Sequence, residues 1–215
     1  MMIAKGTITW ILTPFAFGII FLAFYINYQK DIGDFFLLVS VLMFILTGFF
    51  IIFFRDPIRD IGKGIVAPAD GRIQYINHSL DRNIGECAII STFMNLHNVH
   101  VNRMPLDGLI KDVVHIFGSH LPAFKKDSAR NERVIITIDT DIGLVKLIQI
   151  SGTLARRIVP YIKKGDKLKK GEKIGIILFG SRVDIYLPSK KIEYINVKLG
   201  DKIRAGEKSI AKIND

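Results

Sequence analysis

The chain has 215 residues, a formal net charge of +10 and one cysteine. A single cysteine excludes an internal disulfide, and the sequence contains neither a phosphate-binding glycine loop nor a cluster of metal-ligating residues. The basic charge favours an anionic partner, which is either a lipid surface or a nucleic acid. Because basic and acidic residues are interleaved and no recognition motif is present, we expect a membrane surface and no nucleic acid.

Two long uncharged segments come first in the chain. No charged residue occurs between Lys5 and Lys30, or between Asp34 and Arg55. A bilayer core of about 30 Å is crossed by about 20 helical residues, so each segment can span it. We predict a two-span membrane hairpin over residues 1–54, with spans at about 7–28 and 35–54, and one domain over residues 55–215.

The basic residues at the ends of the spans predict the orientation. The short linker between the spans has one basic residue, Lys30, whereas Arg55, Arg59 and Lys63 follow the second span. Basic flanks remain on the cytoplasmic side. We therefore expect the main domain at the cytoplasmic face of the cell (inner) membrane. Cys87 lies in an apolar run, which predicts a buried, inert thiol in a reducing compartment.

Residues 55–215 have the pattern of a mainly-β domain. Short β-branched runs occur at residues 64–67, 72–76, 88–92, 133–138 and 144–150, and Asp-Gly and Asn-Ile-Gly turns separate them. One short helix is predicted near residues 121–128.

An internal repeat lies near the C-terminus. Residues 165–173 (GDKLKKGEK) recur 35 residues later as residues 200–208 (GDKIRAGEK), with six of nine positions identical. The pattern resembles the turn of the barrel-sandwich fold of biotinyl and lipoyl carriers, which present a modified lysine midway between two half-repeats. Here the midpoint is Phe179-Gly180-Ser181-Arg182, without a lysine. We predict a barrel-sandwich-like domain whose halves flank the Gly180–Ser181 step; two unrelated hairpins are the alternative.

The Gly180–Ser181 step is capable of a specific reaction. A serine hydroxyl beside a glycine carbonyl, held in a strained turn, can attack that carbonyl and split the backbone. Gly-Ser pairs are also common in ordinary turns, so the surroundings decide between the two interpretations.

Polar residues in two other segments could take part in chemistry. Asp70 lies in a Pro-Ala-Asp-Gly turn, where an aspartate either caps its own backbone or serves a site. In an extended segment, His100 and Asn102 share one face, and Arg103 lies on the other. His97 falls on the face opposite His100, so the two histidines are poor co-ligands for a metal. A histidine, an amide and an arginine so close together suit a carboxylate or phosphate.

Five stretches together resemble the phosphatidylserine decarboxylases, in the short form with a membrane hairpin. They occur in the family's order: FFRDP at residues 53–57, PADG at 68–71, HVNR-x-P at 100–105, NER at 131–133 and FGSR at 179–182. The likeness extends from the second span nearly to the C-terminus.

The resemblance implies an enzyme with a covalent pyruvoyl cofactor, without metal or pyridoxal phosphate. Ser181 would attack the Gly180 carbonyl, and elimination and hydrolysis would leave a pyruvoyl group at residue 181. The products would be chains 1–180 and 181–215, which form a heterodimer. A Schiff base between the pyruvoyl ketone and phosphatidylserine would then release carbon dioxide and give phosphatidylethanolamine.

The resemblance also implies residue roles. Ser181, His100 and Asp70 would be catalytic, and Asn102 and Arg103 would bind substrate. Either His100 or Asp70 would activate Ser181, while the roles of His97 and His115 stay open. Archaetidylserine is an alternative substrate, because the reaction occurs on a shared headgroup. The non-catalytic alternative is a membrane-tethered, lipoyl-like module that binds anionic lipid.

Overall fold

The computed structural model describes residues 2–28, 30–118, 131–152, 157–178 and 181–214. The chain divides into two compact units, Met1–Ile58 and Arg59–Asp215. The helix expected near residues 121–128 and the glycine of the Gly180–Ser181 step lie outside the described residues.

The first unit is a pair of apolar helices. Helices α1 (Ile8–Asn27) and α2 (Lys30–Phe53) lie in the chain between two short strands, β1 (Met2–Ile3) and β2 (Arg55–Asp56). The two strands pair with each other. Both helices are long and apolar enough to cross a membrane. Gly18 and Ser40 bring the helices close together, because the Ser40 hydroxyl donates to the Gly18 carbonyl at 2.8 Å. The pairing of β1 with β2 holds the two ends of the hairpin side by side.

The second unit is built from fourteen short strands and one 3-10 helix at Ser189–Lys191 among its described residues. The strands are β3 (Ile65–Val66), β4 (Gly71–Asp81), β5 (Gly85–Met94), β6 (Val101–Arg103), β7 (Gly108–Ile116), β8 (Arg133–Thr140), β9 (Gly143–Ile150), β10 (Ile158–Pro160), β11 (Lys167–Leu168), β12 (Lys173–Ile177), β13 (Ser181–Pro188), β14 (Ile192–Ile195), β15 (Lys202–Ile203) and β16 (Ser209–Ile213). The prediction of a mainly-β domain behind two apolar helices is confirmed.

These strands form one large sheet and two small ones. The eight-stranded sheet has the order β11-β7-β8-β9-β13-β5-β4-β15, and the three-stranded sheets are β10-β12-β6 and β14-β16-β3. The two copies of the GDK…GEK repeat have equivalent places. Their first strands, β11 and β15, form the opposite edges of the large sheet, and their second strands, β12 and β16, lie in the middle of the two small sheets.

The duplication includes strands that the repeat does not contain. Hairpin β7–β8 repeats hairpin β4–β5, with a bulge between Ile110 and Asp112 where the other has one between Ile73 and Tyr75. The strand β9 lies beside β8 as β13 lies beside β5. Two residues are called equivalent below when they have the same place in this duplicated pairing.

Each half has its own hydrophobic core, and β13 contributes to both. Val183 packs in one core with Met94 and Met104, whereas Ile185 and Leu187 pack in the other. Ser181 therefore starts a central strand whose inward side chains are fixed by packing.

Candidate active site

Ser181 is the first residue of the central strand β13. It pairs with Met94 at the end of β5, and its side chain is fully buried, with 0% of the residue exposed. Its Oγ has no hydrogen-bond partner among the described residues. Buried polar atoms normally have a partner, so this hydroxyl is in an unusual state. The preceding residue, Gly180, lies outside the described residues.

His100 lies beside the strand that leads to Ser181. Its carbonyl accepts a hydrogen bond from the Ile177 amide at 3.3 Å, and Ile177 is the last residue of β12. The ring is fully buried, and its Nδ1 lies 2.9 Å from the Asn98 carbonyl oxygen. Because a carbonyl only accepts, Nδ1 is the donor in this contact. A neutral ring protonated at Nδ1 has its proton acceptor at Nε2.

Asn102 connects the small sheet to the strands around Ser181. Its Oδ1 accepts a hydrogen bond from Gln149 Nε2 at 2.7 Å, and its Nδ2 lies 3.6 Å from the sulfur of Met94. Met94 is the residue opposite Ser181. Asn102 and Ser181 are thus brought to the same buried region.

Arg103 projects to the opposite side of β6. Its Nη1 donates to the Gly171 carbonyl at 3.0 Å, and its Cδ lies near Gly206, in the turns of the repeat. This agrees with the alternation expected of an extended strand. The described contacts bring Asn102 to the neighbours of Ser181 and do not bring Arg103 there.

Asp70 is held by a buried ion pair. The Arg59 guanidinium donates to both carboxylate oxygens at 3.1 and 2.9 Å, and the Ala205 amide donates to Oδ1 at 2.8 Å. The following residue, Gly71, lies against Phe93 of β5, so closely that a Cβ there would be 2.1 Å from the Phe93 carbonyl oxygen. With strands about 4.8 Å apart, Gly71 and Ser181 are separated by two strand spacings, or about 10 Å.

Part of the Asp70 environment recurs in the other half. Asp107, the equivalent residue, accepts a hydrogen bond from the Lys170 amide at 2.6 Å, as Asp70 does from the Ala205 amide. The contact between the aspartate and the repeat turn is therefore a feature of the fold. The contact with Arg59 is the feature specific to Asp70.

The other two histidines highlighted by the sequence have different surroundings. His97 is exposed. His115 lies on β7, and its Nε2 is 2.7 Å from Oε1 of the buried Glu132. The Glu132 carbonyl accepts a hydrogen bond from the amide of Ser151. Ser151 follows Ile150, the residue of β9 that pairs with Arg182. Glu132, next to β8, therefore lies two strand spacings from Ser181, and His115 on β7 lies three.

Two buried polar residues near Ser181 were missed by the sequence analysis. Thr92 and Gln149 lie directly opposite Val183, on the strands at either side of β13. Both occur in runs that were correctly predicted as strands. The available signal was a polar residue at an inward position of an otherwise apolar strand. That signal can be recognised only when the pairing register of the strands is known.

The outer face of the large sheet has a separate polar network. Asp184 pairs with Arg182 at 3.1 Å and accepts hydrogen bonds from the hydroxyls of Ser91 at 2.6 Å and Tyr75 at 3.0 Å. Burial, followed by the charge of Asp184, raises the pKa of Tyr75. The same two causes raise the pKa of Tyr186 to about 12. A cavity of about 660 Å³ on the face opposite the Ser181 side chain is lined by Tyr75, Arg182, Asp184 and Tyr186, together with neighbouring side chains of the sheet.

Among the described residues, no group of three or more histidine, cysteine or acidic side chains could hold a metal ion. The buried groups around Ser181 are instead hydroxyls, amides and one imidazole. A carbonyl group formed at residue 181 would fit there, because the Ser181 Oγ is not committed to a described hydrogen bond.

Comparison with known proteins first defines the class. The relatives are decarboxylase proenzymes: "Putative archaetidylserine decarboxylase proenzyme" of Methanococcoides burtonii is 41% identical over 214 residues, which are 98% of this chain and 96% of that one. "Phosphatidylserine decarboxylase proenzyme" of Streptomyces coelicolor is 48% identical over 155 residues, 72% of this chain and 68% of that one. That of Thermobifida fusca is 50% identical over 156 residues, 72% and 69% of the two chains.

The family itself follows from a profile match. Residues 46–211 match the phosphatidylserine decarboxylase profile, which covers well over half of the chain. The chain belongs to the phosphatidylserine decarboxylase family, and it is a decarboxylase.

Proposed function

We propose that the protein is a self-processing, pyruvoyl-dependent decarboxylase that removes the carboxyl group of a serine phospholipid. The observation that carries the proposal is the Ser181 hydroxyl, which is fully buried at the start of a central strand and has no hydrogen-bond partner among the described residues. A serine so placed is available to act on the carbonyl of the residue before it.

Self-cleavage begins when Ser181 Oγ attacks the Gly180 carbonyl carbon. The Oγ–H proton passes to a base, and the peptide nitrogen takes up a proton as the C–N bond breaks, which leaves an ester. Elimination then releases the carboxylate of residue 180, and hydrolysis of the remaining dehydroalanine releases ammonia. The resulting chains, 1–180 and 181–215, stay together because β13 is paired with β5 and β9 over most of its length.

His100 is the better base for this step. Its Nδ1 is oriented by the Asn98 carbonyl, so that Nε2 is the proton acceptor of the neutral ring. The Asp70 carboxylate is held by Arg59 and the Ala205 amide, and the residue that follows it lies about 10 Å from Ser181. We assign Asp70 to holding the strand end beside Phe93 and His100 to proton transfer.

The pyruvoyl group supplies an electron sink for the carbanion that remains when carbon dioxide leaves. The residues of the chain orient the substrate and move the protons. Asn102 is placed to contact the headgroup because its side chain reaches the neighbours of Ser181. Arg103 donates to the Gly171 carbonyl, on the other side of β6 from Asn102, and would have to reorient to bind the phosphate or carboxylate beside Asn102. His100 returns a proton to the substrate carbon after decarboxylation.

The hairpin of apolar helices locates the enzyme at its substrate. We infer that it anchors the decarboxylase domain to the cell membrane on the cytoplasmic side, where the basic charge of the domain attracts anionic headgroups. The match to the Methanococcoides protein includes the hairpin, whereas the Streptomyces match covers 72% of the chain. This favours archaetidylserine as a second candidate substrate beside phosphatidylserine.

The test uses the purified full-length protein in detergent, with phosphatidylserine and archaetidylserine offered in separate reactions. We expect two chains by mass spectrometry and release of carbon dioxide from at least one of the lipids. A single intact chain that binds anionic vesicles but releases no carbon dioxide would instead indicate a non-catalytic lipid-binding module.

A further inference from the structure

Three buried polar atoms surround the first residues of β13. They are Ser181 Oγ, Thr92 Oγ1 and Gln149 Oε1, and none has a hydrogen-bond partner among the described residues. Ser181 and Gln149 are 0% exposed and Thr92 is 1% exposed. A buried polar atom without a hydrogen-bond partner is destabilising, so three in one place need an explanation.

The strand register puts these atoms on one face of the sheet. Thr92 and Gln149 flank Val183 from opposite sides, and Val183 is two residues beyond Ser181. Directly opposed residues project to the same face, and so do alternate residues of a strand. Thr92 and Gln149 therefore lie about 7 Å along the strand from Ser181, on the face of the sheet that carries the Ser181 side chain.

The other half of the domain shows that the fold does not need polar residues here. The equivalent of Thr92 is Ile138, which pairs with Ile110 as Thr92 pairs with Ile73. The equivalent of Gln149 is Leu187, because Val145 pairs with Ile138 as Val183 pairs with Thr92, and the two residues lie four positions beyond Val145 and Val183.

A third residue follows the same rule. The equivalent of Asn102, the partner of Gln149, is Ile65, since Asn102 pairs with Gly175 as Ile65 pairs with Ala211. The apolar equivalents are all buried. The polar groups thus occupy positions at which the other half packs apolar side chains, which leave no unsatisfied atom.

We propose that Thr92 and Gln149 form the subsite for the amino-acid part of the serine headgroup. The Thr92 hydroxyl donates to the headgroup carboxylate, and the Gln149 side-chain carbonyl accepts from the headgroup nitrogen. Gln149 Nε2 meanwhile holds Asn102 in place. This inference rests on the proposed function, and cleavage before residue 181 opens the chain at the end where the headgroup enters.

A neutral hydrogen-bond donor suits a carboxylate that is to be lost as carbon dioxide. Met94 and Val183, which belong to the adjoining core, provide an apolar wall on this face. A carboxylate in such surroundings is poorly solvated, and loss of carbon dioxide removes its charge. An arginine in the same place would stabilise the charge of the ground state. The structure directs Arg103 away, to the Gly171 carbonyl.

The test separates processing from headgroup binding. The full-length variants Thr92→Val, Thr92→Ser and Gln149→Met are compared with the wild type. The mass of the small chain reports processing, and borohydride trapping on that chain reports bound amine. The probes are glycerophosphoserine and glycerophosphoethanolamine, which lacks the carboxylate. Thr140→Val, the same substitution at the far turn of β8 and β9, is the matched control.

The two substitutions should differ in a defined way. In Thr92→Val we expect normal processing and a roughly 10- to 100-fold weaker trapping of glycerophosphoserine, with glycerophosphoethanolamine unchanged. Thr92→Ser should retain trapping, because it retains the hydroxyl. Gln149→Met should weaken trapping of both probes, because both carry the nitrogen.

Several outcomes would overturn the subsite. They are equal trapping of both probes in Thr92→Val, full trapping in Gln149→Met, or failure of both variants to process while remaining folded. The last result would assign these groups to self-cleavage instead. A wild-type protein that shows neither a second chain nor trapping would refute the proposed function itself.

Discussion

At the scale of the residue, the three histidines of the region differ in what surrounds them. His100 is buried beside the end of β12, His97 is exposed, and His115 is paired with Glu132 on a strand three spacings from that of Ser181. A side chain that transfers a proton must be within hydrogen-bond reach of the reacting atoms. Of the three, His100 is the one to which we assign proton transfer.

His100→Ala should therefore lose turnover by about 100-fold or more, the usual contribution of a general acid or base. His97→Ala should lose little. The measurement is carbon dioxide release per processed chain, with the processed fraction determined separately by mass. Near-normal turnover per processed chain in His100→Ala would remove His100 from the mechanism and direct attention to His115.

Tyr186 gives a prediction for alkaline pH. Its folded-state pKa is raised from 10.0 to about 12, chiefly by burial and then by the charge of Asp184. Above pH 10 the unfolded chain loses the phenolic proton, whereas the folded chain keeps it until about pH 12. The folded state then binds more protons, so its stability falls as the pH rises through this window.

The check is chemical denaturation at several alkaline pH values. Tyr186→Phe should reduce the slope of the unfolding free energy against pH, while Tyr194→Phe, at an exposed position, should leave it unchanged. Equal slopes in the wild type and in Tyr186→Phe would show that the environment of Tyr186 is not as described.

At the scale of the element, duplication separates structural from functional features. Hairpins β4–β5 and β7–β8 have the same pairing and the same bulge, and both begin with a Pro-x-Asp-Gly turn. Where the halves agree, the fold explains the residue. Where they differ, as at Ser181, the first residue of β13, whose equivalent is Gly143, the first residue of β9, another cause is needed.

Asp70 and Asp107 are a matched pair for testing this distinction. Asp107→Asn keeps an acceptor for the Lys170 amide, and its effect on stability should remain within about 0.5 kcal/mol. Asp70→Asn also breaks the buried pair with Arg59, which retains Glu207, so the loss should reach up to about 3 kcal/mol. We expect a lower processed fraction in Asp70→Asn only. Equal unfolding midpoints and equal processing in the two variants would contradict this assignment.

The sequence predicted the elements better than their connections. The apolar gaps predicted both helices, and the β-branched runs predicted β5, β8 and β9. The GDK…GEK repeat predicted two related halves. The extent of the duplication was missed, because the two hairpins share little besides Pro68-x-Asp70-Gly71 and Pro105-x-Asp107-Gly108.

The site was predicted in part for a related reason. Alternation along β6 separated Asn102 from Arg103 in agreement with their contacts. Thr92 and Gln149 were missed because their nearness to Ser181 arises from pairing between strands that are distant in sequence. No local pattern contains that information.

At the scale of the whole molecule, the chain consists of an apolar helical unit and a β unit. We expect removal of residues 2–54 to leave a domain that still processes itself, because the residues assigned to the chemistry lie beyond Arg55. Its turnover should fall strongly on lipid in vesicles and little on short-chain lipid in micelles. Equal turnover on vesicles with and without the hairpin would contradict a role in anchoring.

The proposed orientation has its own measurement. Protease added to intact cells should leave the β unit undigested, and protease added to inverted membrane vesicles should digest it. Digestion in intact cells would overturn the cytoplasmic placement.

The central claim is that Ser181 makes the cofactor by breaking the chain before itself. The most direct measurement is the intact mass of the purified full-length protein and of its Ser181→Ala variant. We predict two chains for the wild type, the shorter containing residues 181–215 with a pyruvoyl N-terminus. The variant should stay in one piece and release no carbon dioxide. A wild-type protein of one chain, or a Ser181→Ala protein that still yields a fragment starting at residue 181, would contradict the account.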